Sequence, residues 1–124
     1  MISDYVDLHD DRNAVLEIIQ QQTVAARIHV TQSFLEFNGQ GIYIRPADEQ
    51  IEIDKKHAVL IVGYGEDDGV QYFLIQNSWG LVWGNGGYAK VGREFLNHFC
   101  YPVVNDMREE MGEDLFKKYF PEAM

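Results

Sequence analysis

Cysteine is nearly absent from this chain of 124 residues, which contains only Cys100. One cysteine cannot form an intrachain disulfide, and it suits either a reducing compartment or a fragment of a longer protein. Residues 1–7 also lack the basic region and the apolar run of a signal peptide. The sequence leaves the location open, and the lone cysteine favours an intracellular one.

Basic residues are also scarce, since 10 Lys and Arg stand against 20 Asp and Glu for a formal net charge of −10. Nucleic-acid binding requires cationic side chains that neutralise phosphates, so this composition disfavours nucleic acid and anionic membranes as partners. Apolar runs are short, and none approaches the roughly 20 residues of a membrane-spanning helix. We therefore expect one globular domain. The acidic charge is compatible with a basic partner or substrate, and solubility is its ordinary explanation.

Patterns for metal binding are missing as well. The four histidines are scattered along the chain without the spacing of a zinc site. The acidic stretch 48–54 does not follow the ligand pattern of a calcium-binding EF-hand loop. The sequence therefore predicts no metal and no cofactor.

Hydrophobic spacing predicts more strands than helices. Residues 24–30 alternate between apolar and polar or small side chains, which is typical of a half-buried strand. Residues 58–64 are almost all apolar, which predicts a strand covered on both faces. The complete prediction contains strands near 24–30, 42–44, 58–64, 70–76 and 88–91, a hairpin turn at 66–69, a helix over 14–20 capped by Asp10, Asp11 or Asn13, and helical turns at Phe34–Phe37 and 94–98.

These elements indicate an α+β fold with an antiparallel sheet, which the sequence divides into three parts. Residues 1–12 are predicted to be an irregular acidic N-terminus, and residues 13–104 the main domain. Residues 105–124 are predicted to form an amphipathic helical appendage over 106–120, in which apolar residues recur every four positions at Met107, Met111, Leu115 and Tyr119.

The most specific pattern lies between residues 57 and 88. His57 precedes one apolar strand, the sequence Asn-Ser-Trp-Gly at 77–80 follows the next, and Trp83 leads into a glycine-rich turn. This stretch resembles the histidine and asparagine motifs of the papain/cathepsin family of cysteine peptidases. Weaker similarity runs from about Ala14 to about Val104. The resemblance implies the β-rich right-hand half of that fold, an antiparallel sheet or partial barrel, without the helical left-hand half.

The resemblance also implies a role for each residue of the motif. A cysteine peptidase needs a thiolate and a cation that stabilises it. His57 would be that imidazolium and later the general acid, and Asn77 would accept a hydrogen bond that fixes the ring. Trp79 would cover the pair and exclude water. Trp83 matches a second family tryptophan near the primed side of the cleft.

The family's nucleophile motif, a cysteine followed by tryptophan on a helix, has no counterpart in this sequence, and neither has its oxyanion-hole glutamine. Cys100 lies in the sequence Asn-His-Phe-Cys-Tyr-Pro and lacks both that helix and that tryptophan. We therefore predict that Cys100 is a buried or half-buried free thiol and not the nucleophile.

Three hypotheses for function remain open. The chain is a non-catalytic half-domain, a pseudoenzyme with or without a protein partner; or it is one part of a cysteine endopeptidase whose other part supplies the cysteine and glutamine; or its fold is a scaffold for an unrelated binding role. In the family, the right-hand half buries one face against the left-hand half. The resemblance therefore implies an exposed apolar face, covered by self-association, by a partner or by the 106–120 segment.

Overall fold

A computed structural model describes residues 5–52 and 55–102, so the predicted appendage 105–124 lies outside the described residues. The described residues form seven strands, two short helices and a 3-10 turn. In chain order these are β1 (Tyr5–His9), α1 (Arg12–Ile18), β2 (Val24–His29), α2 (Gln32–Leu35), β3 (Ile42–Tyr43), β4 (Lys56–Asp67), β5 (Val70–Gln76), β6 (Tyr88–Gly92), the 3-10 turn Arg93–Phe95 and β7 (Leu96–Pro102).

The strands form one sheet in the order β1-β7-β2-β4-β5-β6-β3. Every neighbouring pair is antiparallel except β3 with β6, which is parallel. The predicted α+β class with a mainly antiparallel sheet is therefore confirmed, and the sheet is open, with β1 and β3 as its edges. None of the helices in the described part of the chain is long and apolar enough to cross a membrane.

The α1 helix starts where its sequence supplies a cap. The Asp11 side chain accepts hydrogen bonds from the backbone N–H groups of Asn13 and Ala14, both at 3.1 Å. These bonds satisfy two of the donors that every helix start leaves unpaired. The helix runs from Arg12 to Ile18, two residues earlier than predicted at each end, and its Val15 is fully buried in the core.

The β4–β5 hairpin turns where the sequence predicts. Asp68 and Gly69 occupy the turn with φ of 50° and 81°. Positive φ at both central residues is the requirement of a type I′ turn, and an Asp-Gly pair meets it at little cost. The hairpin fixes the register in which Leu60 lies opposite Gln76.

Among residues 5–52 and 55–102, strand β4 is covered on one face, so these residues do not supply the predicted burial on both faces. Val59 and Ile61 are buried, whereas Ala58 is exposed and Leu60 is half-buried. Both described helices contribute their buried residues, Val15 and Phe34, to the same core as these strand residues. Among the described residues, no second layer covers the opposite face.

Two strands differ from the sequence prediction. Residues 1–12 are predicted to be irregular, but Tyr5–His9 form β1 and pair with β7. A helical turn is predicted over 94–98, but only Arg93–Phe95 form a 3-10 turn and β7 begins at Leu96. An edge strand is stabilised by backbone pairing with its neighbour, so its side chains need not alternate in hydrophobicity.

The core lies on the helix-bearing face of the sheet. It contains fifteen buried apolar residues that contact one another: Val15, Val24, Ala26, Ile28, Phe34, Tyr43, Val59, Ile61, Phe73, Ile75, Trp83, Ala89, Val91, Leu96 and Phe99. The alternation predicted over 24–30 accounts for three of them, since the buried residues of β2 are Val24, Ala26 and Ile28.

Candidate active site

His57 and Asn77 meet at one end of the β4–β5 hairpin. His57 is the second residue of β4, and Asn77 directly follows Gln76, the last residue of β5. Because the two strands are antiparallel, the start of β4 lies beside the end of β5. The hairpin register therefore places the two side chains together, as the sequence predicts.

The two side chains form a short hydrogen bond. His57 Nε2 lies 2.7 Å from Asn77 Oδ1, and the backbone N–H of Ser78 donates to the same oxygen at 2.8 Å. An amide oxygen can only accept, so Nε2 carries the proton of this bond. The ring's Nδ1 makes no hydrogen bond to any residue in the described part of the chain.

Trp79 covers the histidine. The ring centroids of His57 and Trp79 are 4.6 Å apart and their planes differ by 20°, which is a stacked arrangement. Asn77 is only 6% exposed, and His57 is half-buried. Limited access of water strengthens the hydrogen bond, because the local dielectric constant is low.

The aromatic rings of Phe34 and Trp83 pack against Trp79. Trp83 Nε1 donates to the backbone carbonyl of Phe34 at 2.9 Å, and the Phe34 ring contacts Trp79 edge-on at 5.5 Å. Phe34 is fully buried and Trp83 is 7% exposed. Helix α2, which carries Phe34, is thereby tied to the loop that carries Trp79, and the loop position is fixed.

The glycine-rich turn at 84–87 holds the backbone of Asn77 in place. The backbone N–H of Asn77 donates to the Gly87 carbonyl at 2.9 Å, and Gly87 N–H donates to the Trp83 carbonyl at 2.9 Å. Gly84 has φ of 60°, and a Cβ there would lie 2.5 Å from the Tyr88 carbonyl oxygen. Only glycine fits this close approach without a shift of the backbone.

Cys100 lies away from this site. It is a half-buried free thiol in β7, opposite Ala25 of β2, whereas His57 lies opposite Ile28 of the same strand. Two strand spacings across and three residues along β2 separate the two Cα atoms by about 14 Å. Burial raises the pKa of the Cys100 thiol, and the nearby Asp7 carboxylate raises it further, against the opposing effect of Arg27.

The structure brings together three of the residues singled out in the sequence, His57, Asn77 and Trp79, and places Trp83 beside them. The prediction of Cys100 as a half-buried free thiol is confirmed. Sequence reasoning missed the contributions of Phe34 and the Ser78 backbone. The only signal for Phe34 is its spacing from Phe37, which indicates a helical turn but not its contact with a distant loop.

No cluster of three or more His, Cys, Asp or Glu side chains suitable for a metal ion is present among residues 5–52 and 55–102. At the His57–Asn77 site the side chains provide an imidazole oriented by an amide. Such a ring holds a proton on Nε2 and presents Nδ1 to a neighbouring group.

A histidine oriented by an asparagine under a tryptophan, at one end of an open antiparallel sheet, fits the histidine-bearing half of a cysteine peptidase. The family model of the papain family cysteine protease matches residues 1–102. The chain belongs to the papain family.

Individual relatives agree with this assignment. The chain is similar to Testin-2 of Rattus norvegicus, 31% identical over 114 residues, with 83% of this chain and 34% of the relative covered. It is similar to Cathepsin Q of the same species, 35% identical over 114 residues, with 83% and 32% covered. Among solved structures, the digestive procathepsin L2 proteinase of Tenebrio molitor larval midgut has a TM-score of 0.70 at 34% identity, covering 83% of this chain and 34% of that one.

The chain therefore spans about a third of the length of the curated relatives that it matches. The similarity extends over most of this chain and over a limited part of each relative, so the activity of a whole relative does not follow from it.

Proposed function

We propose that this chain carries the histidine–asparagine half of a papain-like active site and does not hydrolyse peptides on its own. The observation that carries the proposal is the His57–Asn77 hydrogen bond under Trp79, in a chain whose single cysteine lies about 14 Å away. The role of the chain alone is then that of a pseudoenzyme, with a protein or peptide as its partner.

The chemistry of the pair supports the assignment of His57 and Asn77 as the inherited catalytic positions. A peptidase of this class uses a thiolate–imidazolium pair, in which the histidine later gives its proton to the leaving amine. Asn77 Oδ1 would hold Nε2–H, so the proton that is transferred would lie on Nδ1, the nitrogen that faces away from Asn77. Trp79, and Trp83 behind it, would keep the ring in this orientation.

The surroundings of Cys100 argue against a second nucleophile. A nucleophilic cysteine needs a lowered pKa, which a helix N-terminus or a neighbouring imidazolium provides. Cys100 lies in the middle of a strand, and burial raises the pKa of its thiol. Removal of the nucleophile from a cooperating triad costs about six orders of magnitude in rate in a serine protease.

The test is an activity assay combined with thiol labelling. The chain, incubated with fluorogenic peptide substrates at pH 5–7 under reducing conditions, should release no fluorophore above the level of the Cys100→Ser variant. A thiol-directed epoxide should label Cys100 slowly and at the same rate in the His57→Ala variant. Turnover lost in both variants, or labelling that depends on His57, would contradict the proposal.

A second candidate function is completion of the site by another polypeptide that supplies the cysteine and the oxyanion-hole glutamine. Two observations favour it. The chain corresponds to about a third of its relatives' length, and Nδ1 of His57 has no partner among the described residues. Beside the site, Leu81 and Val82 are 81% and 97% exposed, which offers an apolar contact to such a partner.

In the completed site, the cysteine Sγ would attack the peptide carbonyl carbon while its proton resides on His57 Nδ1. That proton would pass to the leaving amine as the peptide C–N bond breaks and the acyl-enzyme thioester forms. Mixing this chain with a separately made papain-family left-hand half should then produce turnover that His57→Ala removes. Lack of turnover in a mixture that forms a stable complex would favour the non-catalytic role.

A further inference from the structure

A groove lies on the uncovered face of the sheet, away from the His57 site. It has a volume of about 550 Å³ and is formed by β1, β7, β2 and the middle of β4. Its lining includes Tyr5, Ala25, Arg27, Leu60, Cys100 and Pro102. We call it the β1/β7 groove.

The groove is the outer face of the strands that carry the core on their inner face. Ala25 and Arg27 alternate along β2 with the buried Val24, Ala26 and Ile28. An apolar floor of this kind at Ala25 and Leu60 loses free energy when it faces water. A covering element would remove that cost.

We propose that residues 106–120 of the same chain dock in the β1/β7 groove. The position at which the described chain ends supports this occupant. Pro102 is the last residue of β7 and itself lines the groove, so the following residues begin at its mouth. Residues 103–105 are long enough for a connection that reverses the chain direction.

The sequence of the segment matches the groove in its hydrophobic pattern. Met107, Met111, Leu115 and Tyr119 recur every four residues, which gives a helix of about 22 Å one apolar side. A strand as long as β7 spans about 23 Å. The groove carries the carboxylates Asp7 and Asp10 as well as Arg27, so the match rests on the apolar side of the segment and not on its charge.

Attachment to the chain favours this occupant over a free one. A segment joined by a short linker has an effective concentration in the millimolar range near its groove. A second copy of the chain or a separate partner at micromolar concentration must bind far more tightly to displace it. The segment therefore occupies the groove in the isolated chain, and a partner for this face would have to compete with it.

The first test observes the contact in the unmodified full chain. Methyl-labelled methionine allows nuclear Overhauser effects to be measured between Met107 or Met111 and the side-chain methyl groups of Ala25 and Leu60. We expect these effects in a monomeric sample. Their absence, with the Met107 and Met111 methyl signals at the positions of free methionine, would overturn the proposal.

The second test uses Cys100 as a reporter of the covered groove. Alkylation of Cys100 by iodoacetamide should accelerate by about tenfold in the Met111→Ser/Leu115→Ser variant, because opening of the segment exposes the thiol. The matched control is Glu109→Ser/Glu113→Ser, on the opposite side of the helical pattern, which should alkylate within about twofold of the unmodified chain.

Two outcomes of the alkylation experiment would refute the docking. Equal rates in both double variants would show that the segment does not protect the groove. A rate in the unmodified chain that falls as protein concentration rises, together with a dimer in light scattering, would show that a second copy covers it instead.

Discussion

The surroundings of His57 and of Cys100 differ in how much of the chain holds each side chain in place. His57 is fixed by a hydrogen bond to Asn77 at 2.7 Å and by a stacked Trp79 at 4.6 Å. Cys100 lies on a strand beside the β1/β7 groove, and burial raises the pKa of its thiol more than Arg27 lowers it. The described residues therefore orient the His57 ring, whereas they give Cys100 the surroundings of a half-buried structural thiol.

This difference shows which residues hold the His57 ring in its orientation. Trp79 and Trp83, in the loop between β5 and β6, contact each other and Phe34 of α2 directly. Asn77 begins the same loop. The site therefore needs no cysteine-bearing half to orient its ring. An oriented imidazole is a property of this half-domain alone, and it is kept by the packing of the aromatic layer.

The largest effect is expected from Phe34→Ala, which removes the fully buried ring beneath Trp79. Loss of a buried phenylalanine side chain leaves a cavity and costs about 3–5 kcal/mol of unfolding free energy. Urea denaturation followed by tryptophan fluorescence measures the change. The variant should also loosen the His57–Trp79 stack, so that the His57 side chain, like that of Cys100, is no longer held firmly in place.

The control for this prediction is Leu35→Ala, the next residue of α2, whose side chain is 48% exposed. It should cost less than about 1 kcal/mol, because a half-exposed residue leaves little cavity. Equal losses in the two variants would contradict the role of Phe34 as the support of the site.

A smaller loss is expected from Trp83→Phe, which keeps an aromatic ring but removes the Nε1–H donor. The Phe34 carbonyl then loses the bond it accepts at 2.9 Å and keeps the longer bond from the Phe37 backbone N–H at 3.3 Å. Loss of one intramolecular hydrogen bond costs about 0.5–1.5 kcal/mol. Tyr88→Phe, at a residue that is 40% exposed, should change the unfolding free energy by less than about 0.5 kcal/mol. A Trp83→Phe variant as stable as that control would show that the indole bond does not fix the loop.

The smallest effect concerns the pH dependence of Cys100 alkylation. Because burial and Asp7 raise the pKa of the thiol, its alkylation rate should rise with pH at a midpoint above that of a free cysteine. Asp7→Asn should lower that midpoint by less than removal of the burial would, since an exposed charge acts weakly through water. An unchanged midpoint would assign the shift to burial alone.

The same pKa shift sets the sign of a pH effect on stability. A raised pKa in the folded state means that the folded chain holds the thiol proton more tightly than the unfolded chain. This contribution is complete below the ordinary thiol pKa and is lost as the pH rises through the folded-state value. Comparison of the unmodified chain with Cys100→Ser across that range measures it, and identical pH profiles would contradict it.

The sequence predicts most of the histidine site because the relevant contacts are local in the hairpin. The Asp68–Gly69 turn sets the β4–β5 register, and the register brings His57 to Asn77. By contrast, β1 pairs with β7 across more than ninety residues, and the Phe34 carbonyl meets Trp83 across forty-nine. No local pattern in hydrophobicity reports pairings at that separation, so these contacts become visible only in the folded chain.

The state of the His57 ring in the isolated chain tests the central claim most directly. Nitrogen-15 NMR of the histidine side chains should show the neutral ring protonated on Nε2. The chemical shift of this proton should be changed by its bond to Asn77 Oδ1, and the proton should exchange slowly with water. The signal should lose that shift and exchange faster in Asn77→Ala. A ring protonated on Nδ1, or a signal that is the same in Asn77→Ala, would contradict the account of a histidine oriented by this half-domain alone.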